Sequence, residues 1–215
     1  MDPENPDARD RVWRFLHSTE RLRLGKLTLR EDVWRLPTGA QKTYPILHVG
    51  LTVGVVPLVD AEHVLLVRQF RHLARAESWE LPGGGGRPGE SPAAAAQREL
   101  REEGGYRAGR LTFLTRFLPS AAYLDEDAHC FIGEELVADP LASDDDEFFE
   151  RRVIPFREAL AMALDDRITE SVSKLALLAA ALRLNVRPSR TPSRPSGEPP
   201  SRWRDLLTGR TPRRC

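Results

Sequence analysis

Residues 81–106 read Leu-Pro-Gly-Gly-Gly-Gly-Arg-Pro-Gly-Glu-Ser-Pro-Ala-Ala-Ala-Ala-Gln-Arg-Glu-Leu-Arg-Glu-Glu-Gly-Gly-Tyr, and no other stretch constrains the chain as much. Adjacent glycines let a backbone take φ > 0 and approach a ligand closely. Ser91 supplies an N-cap oxygen and Pro92 suits a first helical position, which predicts where a helix starts. Ala93 to Ala96 favour that helix, and it is expected to reach Glu103. Gly104 and Gly105 then end it through a left-handed cap. The segment reads as loop, helix, loop.

Glu99, Glu102 and Glu103 stand at i, i+3 and i+4, a spacing that puts all three on one helix face. They also occupy the last turn, where the dipole disfavours anions. A divalent cation converts that repulsion into attraction, and hard carboxylate oxygens suit Mg²⁺ or Mn²⁺. The competing reading is a solvated face whose acids pair with Arg98, Arg101 and Arg107.

The complete pattern decides between them. Gly84, five residues, Glu90, seven residues, then Arg98-Glu99-Leu100-x-Glu102-Glu103-x-Gly105-Tyr106 resembles the signature of the Nudix hydrolases at every fixed identity. Tyr106 departs from it, standing where the family has an aliphatic residue. Upstream, Arg68-Gln69-Phe70-Arg71 and Trp79-Glu80-Leu81-Pro82 resemble the approach to this box in ADP-ribose pyrophosphatases and related nucleoside diphosphate sugar hydrolases.

The resemblance implies roles for particular residues. Glu99 and Glu103 would be metal ligands, Glu102 a ligand or catalytic supporting charge, and the Gly83 carbonyl a further ligand. Arg98 would orient the acids, with Glu90 pairing to it. Arg71 would hold a phosphate, Glu80 would bind polar groups of the substrate, and Gly84 would lie against it. For Arg71 and Glu80 the alternative is structural, at a sheet edge, and Trp79 is expected in the core. Within the acidic run 144–150, Glu147 is the candidate general base, with Asp145 second. The cofactor implied is Mg²⁺, with Mn²⁺ able to substitute.

Along the chain, residues 1–9 are polar and 10–49 form an N-terminal β-rich segment. Val12, Trp13, Phe15 and Leu16 suggest a short helix over Asp10–His17. Alternation from Arg21 to Arg35 predicts a strand, Pro37–Ala40 a turn, and Tyr44–Val49 a strand pairing back on the first. By resemblance this sheet would help build a homodimer.

The hydrolase domain is expected over 50–186, with its signature at 84–106. Leu51–Val59 and Val64–Phe70 read as a buried hairpin or adjacent strands. Leu111–Leu118, Ala128–Val137 and Arg152–Phe156 follow as strands. Pro119–Glu126 is a loop that keeps a proline and the acidic pair Asp125 and Glu126, but lacks the glycine that the subfamily carries there. A helix over Arg157–Asp165 should turn Leu160 and Leu164 inward. A last helix, begun by 167–170, should bury Leu175, Leu178, Ala179 and Leu182. From 187 the chain turns Pro-, Ser- and Arg-rich, a composition that cannot bury a core.

The fold class expected is α+β, resembling the Nudix α/β/α sandwich with a mixed sheet and a loop-helix-loop catalytic motif. Function by resemblance is metal-dependent hydrolysis of a nucleoside diphosphate sugar, ADP-ribose first and GDP-mannose or another such sugar next. A non-catalytic nucleotide-sensing Nudix module is the alternative of another class, although such modules generally lose box acids that this chain keeps. No Gly-Lys-Ser/Thr follows the glycines, so a P-loop is excluded. The formal charge of +0 gives no argument for nucleic acid or membrane as partner. Cys130 and Cys215 form no ligand spacing, and the polar start lacks a signal sequence, so a cytoplasmic location is expected.

Overall fold

The computed structural model describes residues 12–25, 27–142 and 148–189. Residues up to Thr52, with Phe117–Ala128, form a first unit; Val53–Arg116 and the chain from His129 form a second.

In the first unit, β1 (Arg14–Leu24), β2 (Leu27–Arg35) and β3 (Gln41–His48) make an antiparallel sheet in that order. The short helix expected over Asp10–His17 does not form from Arg14 on: Phe15 pairs with Trp34 and His17 with Val33 in β1. Cross-strand aromatic packing decides it, with Phe15 edge-on to Trp34 at 5.4 Å and Trp13 tilted on Tyr44 at 6.4 Å. The single strand expected over Arg21–Arg35 is a hairpin instead. Gly25 takes φ 57° and Leu24 pairs with Leu27. The Pro37–Ala40 turn forms, closed by Leu36 N–H to Ala40 O at 2.8 Å, and β3 returns on β2 with Leu47 opposite Leu29.

Asp125 pins the loop 119–126 within this unit. It accepts from Arg30 at 2.5 Å, His48 Nδ1 at 2.6 Å and the amides of Val49 at 2.8 Å and Gly50 at 3.3 Å. Partial burial opposes ionisation, but these bonds outweigh it and hold the carboxyl down at about 2. Glu126 accepts from Thr52 Oγ1 at 2.9 Å.

The remaining elements are β4 (Leu51–Pro57), β5 (His63–Arg71), β6 (Ala76–Glu80), β7 (Gly83–Gly85), α1 (Pro92–Glu99), β8 (Tyr106–Phe117), β9 (Asp127–Ala138), β10 (Glu150–Pro155), α2 (Phe156–Leu164) and α3 (Ser171–Leu184). They build two sheets, ordered β10-β5-β6 and β7-β4-β9-β8. The segments around β4 and β5 meet where they are joined, Leu58 bridging Val64, and then enter different sheets. Val64, Leu65, Leu66 and Val67 are all buried, as in a strand covered on both faces. The turn after α1 packs on β5, and so does α2, which also packs on α3 and β10. Helices therefore sandwich sheet in an α+β arrangement.

Several apolar positions differ from expectation, Leu178 and Ala179 among them, which are half-buried. Leu160 is buried, but Leu164 is exposed. In α3 the buried stripe is Val172, Ser173, Ala176, Leu177, Ala180 and Ala181, while Leu175 is exposed and Leu182 is 85% exposed. This helix is apolar on nearly every side, so spacing alone does not choose its face; small alanines take the packed one. Trp79 is half-buried on the outer strand β6, with the Arg68 guanidinium 5.6 Å over its ring. Cys130 is buried, and burial pushes its thiol up to about 12. Among the described residues no helix is long and apolar enough to cross a membrane.

Candidate active site

The loop-helix-loop stands where its residues predict. Ser91 Oγ accepts from Ala94 N–H at 3.2 Å, and Pro92 opens α1. The helix is regular to Glu99 and then widens into one π-helical turn, Leu100–Gly104, in place of the α-turn expected as far as Glu103. Gly105, at φ 81°, closes it by donating to Leu100 O.

Arg98 gathers the acids. Its Nε donates to Glu90 at 3.1 Å and its Nη2 to Glu90 at 3.0 Å. Its Nη1 serves Glu99 and Glu102, each at 2.7 Å, and Nη2 also reaches Gly85 O at 2.9 Å. One half-buried guanidinium thus ties the glycine loop to the helix and gathers the carboxylates. Bonding to Arg98 holds Glu90 below the usual carboxylate range, and bonding to Glu90 raises Arg98 further. Arg87 shares Glu102 at 3.0 Å. Arg101 and Arg107 do not join the cluster; both pair with Asp139.

The glycines of the loop are there for clearance. A Cβ on Gly83 would stand 2.3 Å from Val53 O, and one on Gly84 would stand 2.8–2.9 Å from the Glu99 carboxylate. Gly83 N–H instead donates to Glu103 Oε2 at 2.8 Å, so the loop backbone touches Glu103 and crowds Glu99.

Arg71 and Glu80 are brought together. Arg71 Nε and Nη2 donate to Glu80 at 3.0 and 2.5 Å, and Gln69 adds a weaker bond at 3.4 Å. Glu80 is 1% exposed, whereas much of the Arg71 side chain reaches solvent. The pair raises the Arg71 pKa, with Glu170 and Glu103 adding to its negative surroundings. Glu80 therefore aims Arg71, and Arg71 is the member able to meet an anion. Glu147 and Asp145 lie outside the described residues.

Some contributors carried no local signal. Ser173 Oγ accepts from the buried Leu81 N–H at 2.9 Å, fixing the start of the loop from 92 residues away. Glu170 caps α3 through Val172 N–H and Ser173 N–H, both at 2.7 Å. Arg87 follows the glycine run, but nothing in its spacing names Glu102 as its partner.

Among the described residues no three acidic, His or Cys side chains converge as a ready-made metal centre. The donor set nevertheless fits a hard divalent cation. Glu99 and Glu103 are buried beside loop glycines that place no side chain against them, and Glu90, Glu99, Glu102 and Glu103 outweigh the charge of Arg98 and Arg87.

Comparisons with known proteins give the family and the fold. The model of the family described as NUDIX domain matches residues 48–175. The chain is 35% identical over 150 residues to the ADP-ribose pyrophosphatase of Bacillus subtilis (strain 168), covering 68% of this chain and 80% of that one. It is 30% identical over 166 residues to the ADP-ribose pyrophosphatase of Mycobacterium tuberculosis (strain ATCC 25618 / H37Rv), covering 75% and 80%. A crystal structure of an ADP compounds hydrolase superposes with a TM-score of 0.71 at 24% identity, covering 80% of this chain and 94% of that one, and shows the shared fold.

Proposed function

The chain belongs to the Nudix hydrolase family, and from that premise we propose that it hydrolyses the diphosphate bond of a nucleoside diphosphate sugar, ADP-ribose giving AMP and ribose 5-phosphate. The observation that carries this reading is the gathering of Glu90, Glu99 and Glu102 on Arg98, with Glu103 held by the glycine loop. The family's relatives named ADP-ribose pyrophosphatases support the substrate.

Glu99, Glu103 and the Gly83 carbonyl are the residues that would hold Mg²⁺, with Glu102 as ligand or supporting charge. Bound there, the metal would neutralise the diphosphate and make a water nucleophilic at neutral pH. Arg98 bridges Glu90, Glu99 and Glu102. Arg71, aimed by buried Glu80, holds a phosphate oxygen, and Gly84 leaves room for the diphosphate beside Glu99. Glu147 is the proposed general base. The protein works in the cytoplasm as a homodimer.

The test is Mg²⁺-dependent turnover across ADP-ribose, GDP-mannose, UDP-glucose, NADH and 8-oxo-dGTP, with Glu103→Gln in parallel. Preference for ADP-ribose, with a loss of about 10²-fold or more in the variant, is the expected result. Preference for GDP-mannose would keep the mechanism and change the substrate. Binding of these ligands without turnover would leave a sensing module and end the hydrolase reading.

A further inference from the structure

A helix ends with carbonyls that lack intrahelical donors. At the end of the signature helix these belong to residues bearing or adjoining the clustered carboxylates, so each requires a partner from elsewhere. Leu100 O accepts from Gly105 N–H, and Arg101 O accepts from Leu141 N–H at 3.1 Å. The carbonyls of Glu102 and Glu103 share one side chain, Arg151 of β10. Its Nε donates to Glu103 O at 2.5 Å and its Nη2 to Glu102 O at 3.3 Å.

The placement has consequences for the site. A guanidinium at the C-terminal end of a helix offsets the partial negative charge of the dipole, at the turn where Glu99, Glu102 and Glu103 add theirs. A forked donor on two successive carbonyls also fixes the peptide planes from which the Glu102 and Glu103 side chains depart. Arg151 stands opposite Val67, a fully buried residue of β5, so the fork is mounted on a strand paired to the central one and not on a loop.

Resting on the hydrolase reading above, we infer that Arg151 is a positioning residue for the metal-binding carboxylates. It touches neither metal nor substrate, and it acts through the backbone of Glu102 and Glu103.

The experiment is Mn²⁺ binding to the metal-stripped full chain, read from the electron paramagnetic resonance signal of free Mn²⁺. Wild type, Arg151→Ala, Arg151→Lys and Glu103→Gln are compared, with melting curves for each. Arg151→Ala is expected to weaken Mn²⁺ about tenfold or more, the scale of lost outer contacts. Arg151→Lys, which can serve one carbonyl, should recover part of that loss. A folded Arg151→Ala that binds Mn²⁺ within about twofold of wild type overturns the inference, whatever its activity. If Arg151→Ala does not fold, Arg151→Lys decides: weakened binding supports the role and wild-type affinity overturns it. Wild type that binds no Mn²⁺, or Glu103→Gln that binds it normally, overturns the hydrolase reading and this inference with it.

Discussion

Gly84 has no need of an unusual φ, yet a methyl group there would stand 2.8–2.9 Å from the Glu99 carboxylate. Gly84→Ala is therefore expected to leave the melting temperature nearly unchanged while displacing Glu99, a proposed metal ligand. A misplacement on the 1 Å scale costs about 10²-fold in turnover, which steady-state kinetics beside a thermal melt would show. Asp125 makes the complementary case, a residue felt in stability. Its carboxyl lies near 3.8 when free and about 2 when folded, so its contribution is complete above pH 4 and lost as pH falls towards 2. Asp125→Asn should cost roughly 1–2 kcal/mol in urea unfolding at pH 7, and much less at pH 2.5. An equal cost at both pH values would refute the assignment. The contacts of Arg98 with Glu99 and Glu102 were legible because those acids lie within one helical turn of it. The Ser173–Leu81 bond joins positions 92 apart and the His48–Asp125 bond positions 77 apart. Neither distance leaves a trace in a single sequence, because such pairs are chosen by the packing of elements.

The same division holds for elements. The signature helix was legible because caps are local: Ser91 and Pro92 start it, and Gly105 ends it whatever surrounds them. The π-helical turn was not, because widening the last turn is a tertiary response. Its buried Leu100 and Gly104 meet β5, where a Cβ on Gly104 would come 3.2 Å from Leu65 Cδ2. The hairpin at Gly25 was missed because the leucines on either side keep one alternating texture through the turn. In α3, leucines outnumber what one face can hold, and close approach selected the alanines. Gly54 shows how close that approach is: a Cβ there would fall 2.6 Å from Val172 Cγ1 in the first turn of α3. Gly54→Ala should therefore push α3 away and cost about 1–3 kcal/mol, measured by denaturant titration. Because Ser173 in that turn also holds Leu81, the variant should lose hydrolysis more steeply than stability alone explains. A variant of wild-type stability would show that α3 has slack the packing does not suggest.

For the whole molecule, the question is what covers the first sheet. Val12, Trp13, Phe15, Leu22, Leu24 and Leu27 are all about half exposed or more, Leu24 reaching 65%. Scattered apolar residues need no explanation, but several on adjoining strands of one small sheet form a patch of the kind that marks an association surface. A second copy of the chain is the proposed cover, since an isologous contact lets one apolar patch bury itself against its twin. Leu24 pairs across the hairpin with Leu27, and its exposure means that a charge there costs the single chain little. Sedimentation of the wild type at micromolar concentration should accordingly give roughly twice 24.2 kDa, and Leu24→Glu should give the single-chain mass. A wild type that sediments as a monomer ends the proposal. Turnover of the monomeric variant then carries separate information. If it matches wild type, the carboxylate cluster on Arg98 suffices within one chain. If it falls while Mn²⁺ still binds, the second copy supplies contacts to the substrate and association is part of the active site.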